Sequence, residues 1–218
     1  MNEQIRRDEN FRRFHDFACG TLRGKDFIFA DLIELAEKMD VFFVPHDSQP
    51  GVRWWAVVNS LAVDEIGRLK MPDLWKIISV PFLTLLEKNE DRSNLFRQEF
   101  EFAHELGHII FFENEDLTKW LDCPFMRLSA KRQCPYIELR AFEEGVKIME
   151  DILEKYDNET KAKQKVRKFF RKIYLSPEYR NNFSSECVIV LDENKISLKE
   201  ESDFCPVLDI LRRCVNVF

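Results

Sequence analysis

The sequence predicts an α+β fold, with a small mixed or antiparallel sheet packed on two long helices. Three observations carry that expectation. Short apolar runs bounded by turn residues, VRWWAVVNS (52–60) and KIISVP (76–81), have the length and composition of strands. Two longer stretches, beginning near Asn94 and near Pro135, repeat apolar residues at helical spacing. Between Asp26 and Val44 the pattern changes from helical to strand-like within one segment, DFIFADLIELAEKMDVFFV.

In chain order, residues 2–19 read as a charged helix with Phe11, Phe14 and Phe17 on one face. A second helix is expected from about Phe29 to Met39, then a strand over Val41–Val44, closed by Pro45 and HDSQPG. The strands at 52–60 and 76–81 follow, separated by a charged turn. The helix NLFRQEFEFAHELGHIIFFEN comes next, with Ser93 or Asn94 as a cap, because a side-chain oxygen there satisfies amides of the first turn. Pro135 suits the first position of the next helix, where its missing N–H costs nothing. The segment 161–174 is a basic amphipathic helix. ECVIVLDENKISL reads as a hairpin turning at Asp192-Glu193-Asn194, and Val207–Cys214 as a final short helix.

The chain has 218 residues, 45% of them hydrophobic, so it can bury a core and wholesale disorder is excluded. Gly is sparse at 6 residues, and neither GxGxxG nor GxxxxGK[ST] occurs, which argues against phosphate-cradling loops. A net charge of −6 opposes polyanion binding by the chain as a whole. The basic run 161–172 carries an apolar stripe of Val166, Phe169, Phe170 and Ile173, so it reads as the wet face of a packed helix. No apolar run reaches the roughly 18 residues of a membrane span, and the N-terminus is charged throughout. The expected location is the cytoplasm. The six cysteines are scattered and form no CxxC pair, so reduced packing thiols are expected.

The chemistry concentrates in His104-Glu105-Leu106-Gly107-His108, an HExxH on a predicted helix. Residues four apart lie on one helix face, so both imidazoles can reach a single zinc ion. Glu105 then stands beside the ion, where a base can take a proton from activated water. With four His in the chain, this arrangement arises by chance about once in a hundred sequences of this composition. The flanking Phe102, Ala103, Leu106, Ile109, Ile110 and Phe112 make the helix apolar, and polar groups inside it require partners.

A catalytic zinc needs a third protein ligand. Positions 111 and 114 are Phe and Asn, so no third histidine follows in the HExxHxxGxxH pattern. The helix after Pro135 offers Glu138, Glu143, Glu144 and Glu150. On the helical wheel Glu138 shares the apolar face with Ala141, Phe142, Gly145, Ile148, Met149 and Ile152. Glu144 falls with Arg140, Lys147 and Asp151 on a solvated face, and Glu143 lies on the border. Glu138 is therefore chosen as the third ligand, with Glu144 in reserve. The competing reading is that Glu138 only stabilises the first turn of its helix through the dipole. Tyr136, His15 and His46 are candidate oxyanion donors.

The stretch RQEFEFAHELGH (97–108) resembles the ImmA/IrrE metallopeptidase family, and the order of elements over about 28–156 is similar too. Phe142, one turn after Glu138, matches the family's aromatic. Glu138-Leu139-Arg140 departs from its Glu-Ala-Asn, the Leu-Met-Pro ending is absent, and 52–75 is longer. The resemblance implies a zincin-like core over 1–156, followed by a helical and hairpin extension over 157–218. It implies a zinc endopeptidase with His104, His108 and Glu138 on the metal and Glu105 as base. It also implies a protein substrate of the helix-turn-helix repressor class. The alternative is a catalytically silent module of the same fold that sequesters a protein partner. An intact Glu105 favours the enzyme, because a purely structural site needs no base.

Overall fold

The computed structural model describes residues 6–46, 56–60, 73–86, 91–114, 135–174, 189–192 and 195–198. Side chains are described for the same residues except 56–60, 73–75, 83, 135–139, 170–174, 189–192 and 195–198. The architecture is mixed α+β and mostly helical. Helices α1 (Glu9–Arg23) and α2 (Phe27–Lys38) precede strands β1 (Phe42–Pro45), β2 (Ala56–Ser60) and β3 (Asp73–Val80). Then follow α3 (Phe82–Leu86), α4 (Arg92–Asn114), α5 (Pro135–Glu154) and α6 (Glu159–Tyr174), and the strands β4 (Ile189–Asp192) and β5 (Lys195–Leu198). The first sheet has the order β1-β3-β2, with β1 parallel and β2 antiparallel to β3. The second is an antiparallel β4–β5 pair in which Asp192 faces Lys195, the expected hairpin. Among the described residues no helix is long and apolar enough to cross a membrane.

Element boundaries differ from the expectation where capping chemistry decides them. Helix α1 starts at Glu9, because Asp8 accepts the amides of Asn10 and Phe11. Helix α2 starts two residues early, on Asp26, whose carboxylate accepts from Phe29 N–H at 2.9 Å. Helix α4 is capped by Asp91, which accepts from Ser93 N–H at 2.9 Å, and not by Ser93 or Asn94. Helix α3 has no counterpart in the sequence reading. Residues 51–55 and the expected helix at Val207–Cys214 lie outside the described residues.

Phe29, Phe43, Phe100, Phe102 and Phe111 are fully buried, each contributing about 2 kcal/mol of transfer free energy. Among the described residues Phe is thus mainly core material, with Phe17, Phe27 and Phe82 exposed. The same cluster takes in Ala162 and Val166 of α6. Phe169 adds edge contacts to Phe96 at 4.9 Å and Phe100 at 5.4 Å.

Strand β1 is an edge of its sheet, and α1 covers it. The Phe43 N–H donates to Nδ1 of His15 at 3.1 Å, and the imidazole stacks on Phe42 and Phe43. His15 is therefore a structural acceptor on an otherwise open strand, and its other ring nitrogen, Nε2, lies 3.7 Å from the Cys19 sulfur. Burial lowers its pKa, against the pull of Asp16 and Glu37. The folded state then binds fewer protons than the unfolded one around pH 6, so this contribution rises with pH and is lost on acidification below about 6.5. The stability difference between wild type and His15→Gln is expected to fall as pH drops from 7 to 5. A difference that stays flat across that range removes His15 from this role.

The sheet carries one backbone irregularity. Val57 faces Ile78 but Asn59 faces Leu74, so β3 bulges, and Lys76 inside the bulge sits at φ 47°. From there its Nζ donates to the Met39 carbonyl at 3.2 Å and pairs with Glu113. One ammonium thus ties the C-terminal end of α2 to that of α4, the helix that carries the histidines.

Candidate metal centre

Helix α4 buries an unusual set of side chains. His104, Glu105 and His108 are 6%, 9% and 8% exposed, among the apolar Phe102, Ala103, Leu106 and Ile109. The helical repeat sets His104 and His108 side by side, with ring centroids 4.6 Å apart and planes at 73°. His104 lies against Phe142 of α5 at 3.9 Å, and His108 stacks toward Phe112 at 6.4 Å. Each imidazole therefore has an aromatic wall that restricts its rotation.

The pairing of α4 with α5 is a backbone-on-backbone contact. A Cβ placed on Gly107 would fall 2.2 Å from the Ala141 carbonyl oxygen. A Cβ on Gly145 would fall 3.0 Å from both Cα and N of His104. Gly107 meets Ala141 while Ala103 and His104 meet Gly145, so the two helices run antiparallel. Glycine is required on both sides because nothing larger lets the chains approach so closely. Gly107 is thus a packing residue inside the HExxH.

Three of the four carboxylates weighed as third ligand are engaged by cations. Glu143 pairs with Arg140. Glu144 accepts from Lys147 at 2.8 Å and lies 3.9 Å from Arg140. Glu150 accepts from Arg167 of α6 at 2.7 Å. Glu143 is more buried than its border position on the wheel suggests, because Arg140 reaches across it. Glu144 lines a groove of about 370 Å³ between α2, α4 and α5, floored by Leu35, Ile110, Ile148 and Ile152.

Glu138 belongs to the first turn of α5, and its side chain lies outside those described. Its backbone position is three residues before Ala141 and seven before Gly145, the residues that meet α4. Because the helices are antiparallel, going from Ala141 back to Glu138 moves along α4 from Gly107 past His108 to the level of about Ile110. Among the described residues no group of three His, Cys, Asp or Glu side chains converges. Tyr136 likewise falls outside the described side chains. His46 is placed by its own bonds: Nδ1 lies 2.9 Å from Ser79 Oγ, and its amide donates to Val80.

Comparisons with protein-family models, with curated proteins and with solved structures find no match to this chain.

Proposed function

We propose that the chain is a zinc-dependent endopeptidase with a zincin-like core, acting on a peptide bond of a protein substrate. One observation carries the reading: two imidazoles, over nine-tenths buried and 4.6 Å apart, on one helix face with a buried carboxylate between them in sequence. This donor set suits zinc, which takes imidazole nitrogen and carboxylate oxygen. His104 and His108 would hold the ion together with Glu138, the acid that the helical wheel puts on the apolar face of α5. The resemblance to regulatory peptidases suggests a transcriptional repressor as the protein cleaved.

A zinc ion in such a site acidifies water and polarises a peptide carbonyl. The protein's own residues do the rest. Phe142 beside His104 and Phe112 beside His108 hold the two rings in one orientation, so little rearrangement is needed on binding. The apolar surroundings exclude bulk water and strengthen charge interactions. Glu105 takes the proton released by the attacking water on its carboxylate and passes it to the leaving amine nitrogen.

Metal content tests the reading. Purified wild-type protein is expected to hold about one zinc per chain. His104→Ala and His108→Ala should each abolish tight binding, and Glu138→Gln should weaken it by at least about tenfold. A wild-type chain that takes up no zinc, or a His104→Ala variant that still holds it, overturns the proposal.

A further inference from the structure

A second buried polar cluster lies five residues before His104 and plays no part in the proposed chemistry. Glu99 of α4 is fully buried. Its Oε1 accepts from Arg92 Nη1 at 3.2 Å, and among the described residues no donor reaches Oε2. The same Arg92 nitrogen also pairs with Asp26, the cap of α2. One guanidinium nitrogen thus touches both the Asp26 and the Glu99 carboxyl group, which brings the two acids side by side. Two ionised carboxylates cannot satisfy one another there, since both would only accept and both would repel.

We propose that Glu99 is a carboxylic acid in the folded protein, its Oε2–H donating to the Asp26 carboxylate and latching the start of α2 to the histidine-bearing helix. One proton is shared by the pair, and Arg92 balances the single remaining negative charge. Asp26 keeps its other duty, accepting from Phe29 N–H. The charged groups that bear on Glu99 are Asp26 at the α2 cap, Arg92 on its own helix and Lys165 on α6. Lys165 is turned over the Phe96 ring at 4.7 Å, so it does not replace the proton.

Burial, then the hydrogen bond and charge of Asp26, push Glu99 up to about 9, against Arg92 and Lys165. Burial also pushes Asp26 up, but the Glu99 proton, the Phe29 amide and Arg92 outweigh it and hold Asp26 below the usual carboxylate range. An unfolded Glu ionises near about 4.3, so folding takes up a proton throughout the interval between that value and the folded one. Across that interval the latch weakens continuously as pH rises, while in stronger acid protonation of Asp26 removes the acceptor.

The test compares wild type with Glu99→Gln, which keeps a donor and cannot ionise, by denaturant unfolding of the full chain from pH 5.5 to 8.5. The folded-to-unfolded ratio of wild type relative to the variant should fall about tenfold per pH unit, the signature of one proton. A ratio independent of pH overturns the proposal. Should Glu99→Gln not fold, infrared spectroscopy of the wild type decides. A protonated-carboxyl band at pH 7 that disappears above pH 10 supports the latch, and its absence at pH 7 overturns it.

Discussion

Gly107→Ala is expected to destabilise the fold by about 2–3 kcal/mol and to lower the thermal midpoint by roughly 4–12 °C. Alanine gains about 1 kcal/mol of helix propensity over glycine, but here that gain is outweighed. The new methyl would fall 2.2 Å from the Ala141 carbonyl oxygen, a backbone atom that cannot rotate away, so α4 and α5 must separate. Separation at Gly107 also moves His104 off Phe142, and zinc affinity should fall with stability. Gly145→Ala meets backbone at 3.0 Å and should cost less, about 1–2 kcal/mol. Gly20 is the internal control: it is an exposed α1 residue with nothing within 4 Å of an added methyl, so Gly20→Ala should stabilise by about 0.5–1 kcal/mol. Thermal melts of the three variants check this ranking. A Gly107→Ala chain as stable as wild type would mean that the helices do not touch at this point.

The contrast between these glycines marks the boundary of what a sequence makes legible. Local periodicity identifies α4, α5 and the β4–β5 hairpin, because each is long or strongly patterned and its signal lies within one window. The spacing of His104 and His108 is local in the same sense, since a single turn of helix brings the rings together. Helix α3 spans only Phe82–Leu86, too short to show a period. The cap at Asp91 is hidden behind Ser93 and Asn94, because each of these residue types can accept a first-turn amide. Long-range partnerships are not legible at all. Glu99 reads as one more charge on a helix, and its meaning depends on Asp26, while Arg92 and Asp26 are 66 positions apart. His15 is a generic histidine until the edge of β1 gives it an amide to accept. Gly107 is visible as a letter of the motif, but its packing role comes from Ala141 on another helix.

Glu105→Gln is expected to retain one zinc per chain and to lower kcat for cleavage of a protein substrate by about 10²–10⁴-fold, the usual worth of a positioned general base. The substitution preserves shape and replaces a buried carboxylate by an amide, so the fold should survive it. Zinc content and the melting curve, measured on the same preparation, separate loss of chemistry from loss of structure. The variant also discriminates between the enzyme and a binding module of the same fold. A module that merely sequesters its partner should bind it equally well with glutamine at 105, and no cleavage should be lost because none occurred. An enzyme instead becomes a trap, holding intact substrate that the wild type would convert to fragments. If Glu105→Gln cleaves as fast as wild type while zinc remains bound, Glu105 is not the base. The HExxH would then serve only to hold metal in the core, and the reason for placing a carboxylate with 9% exposure beside the two imidazoles would have to lie in packing alone.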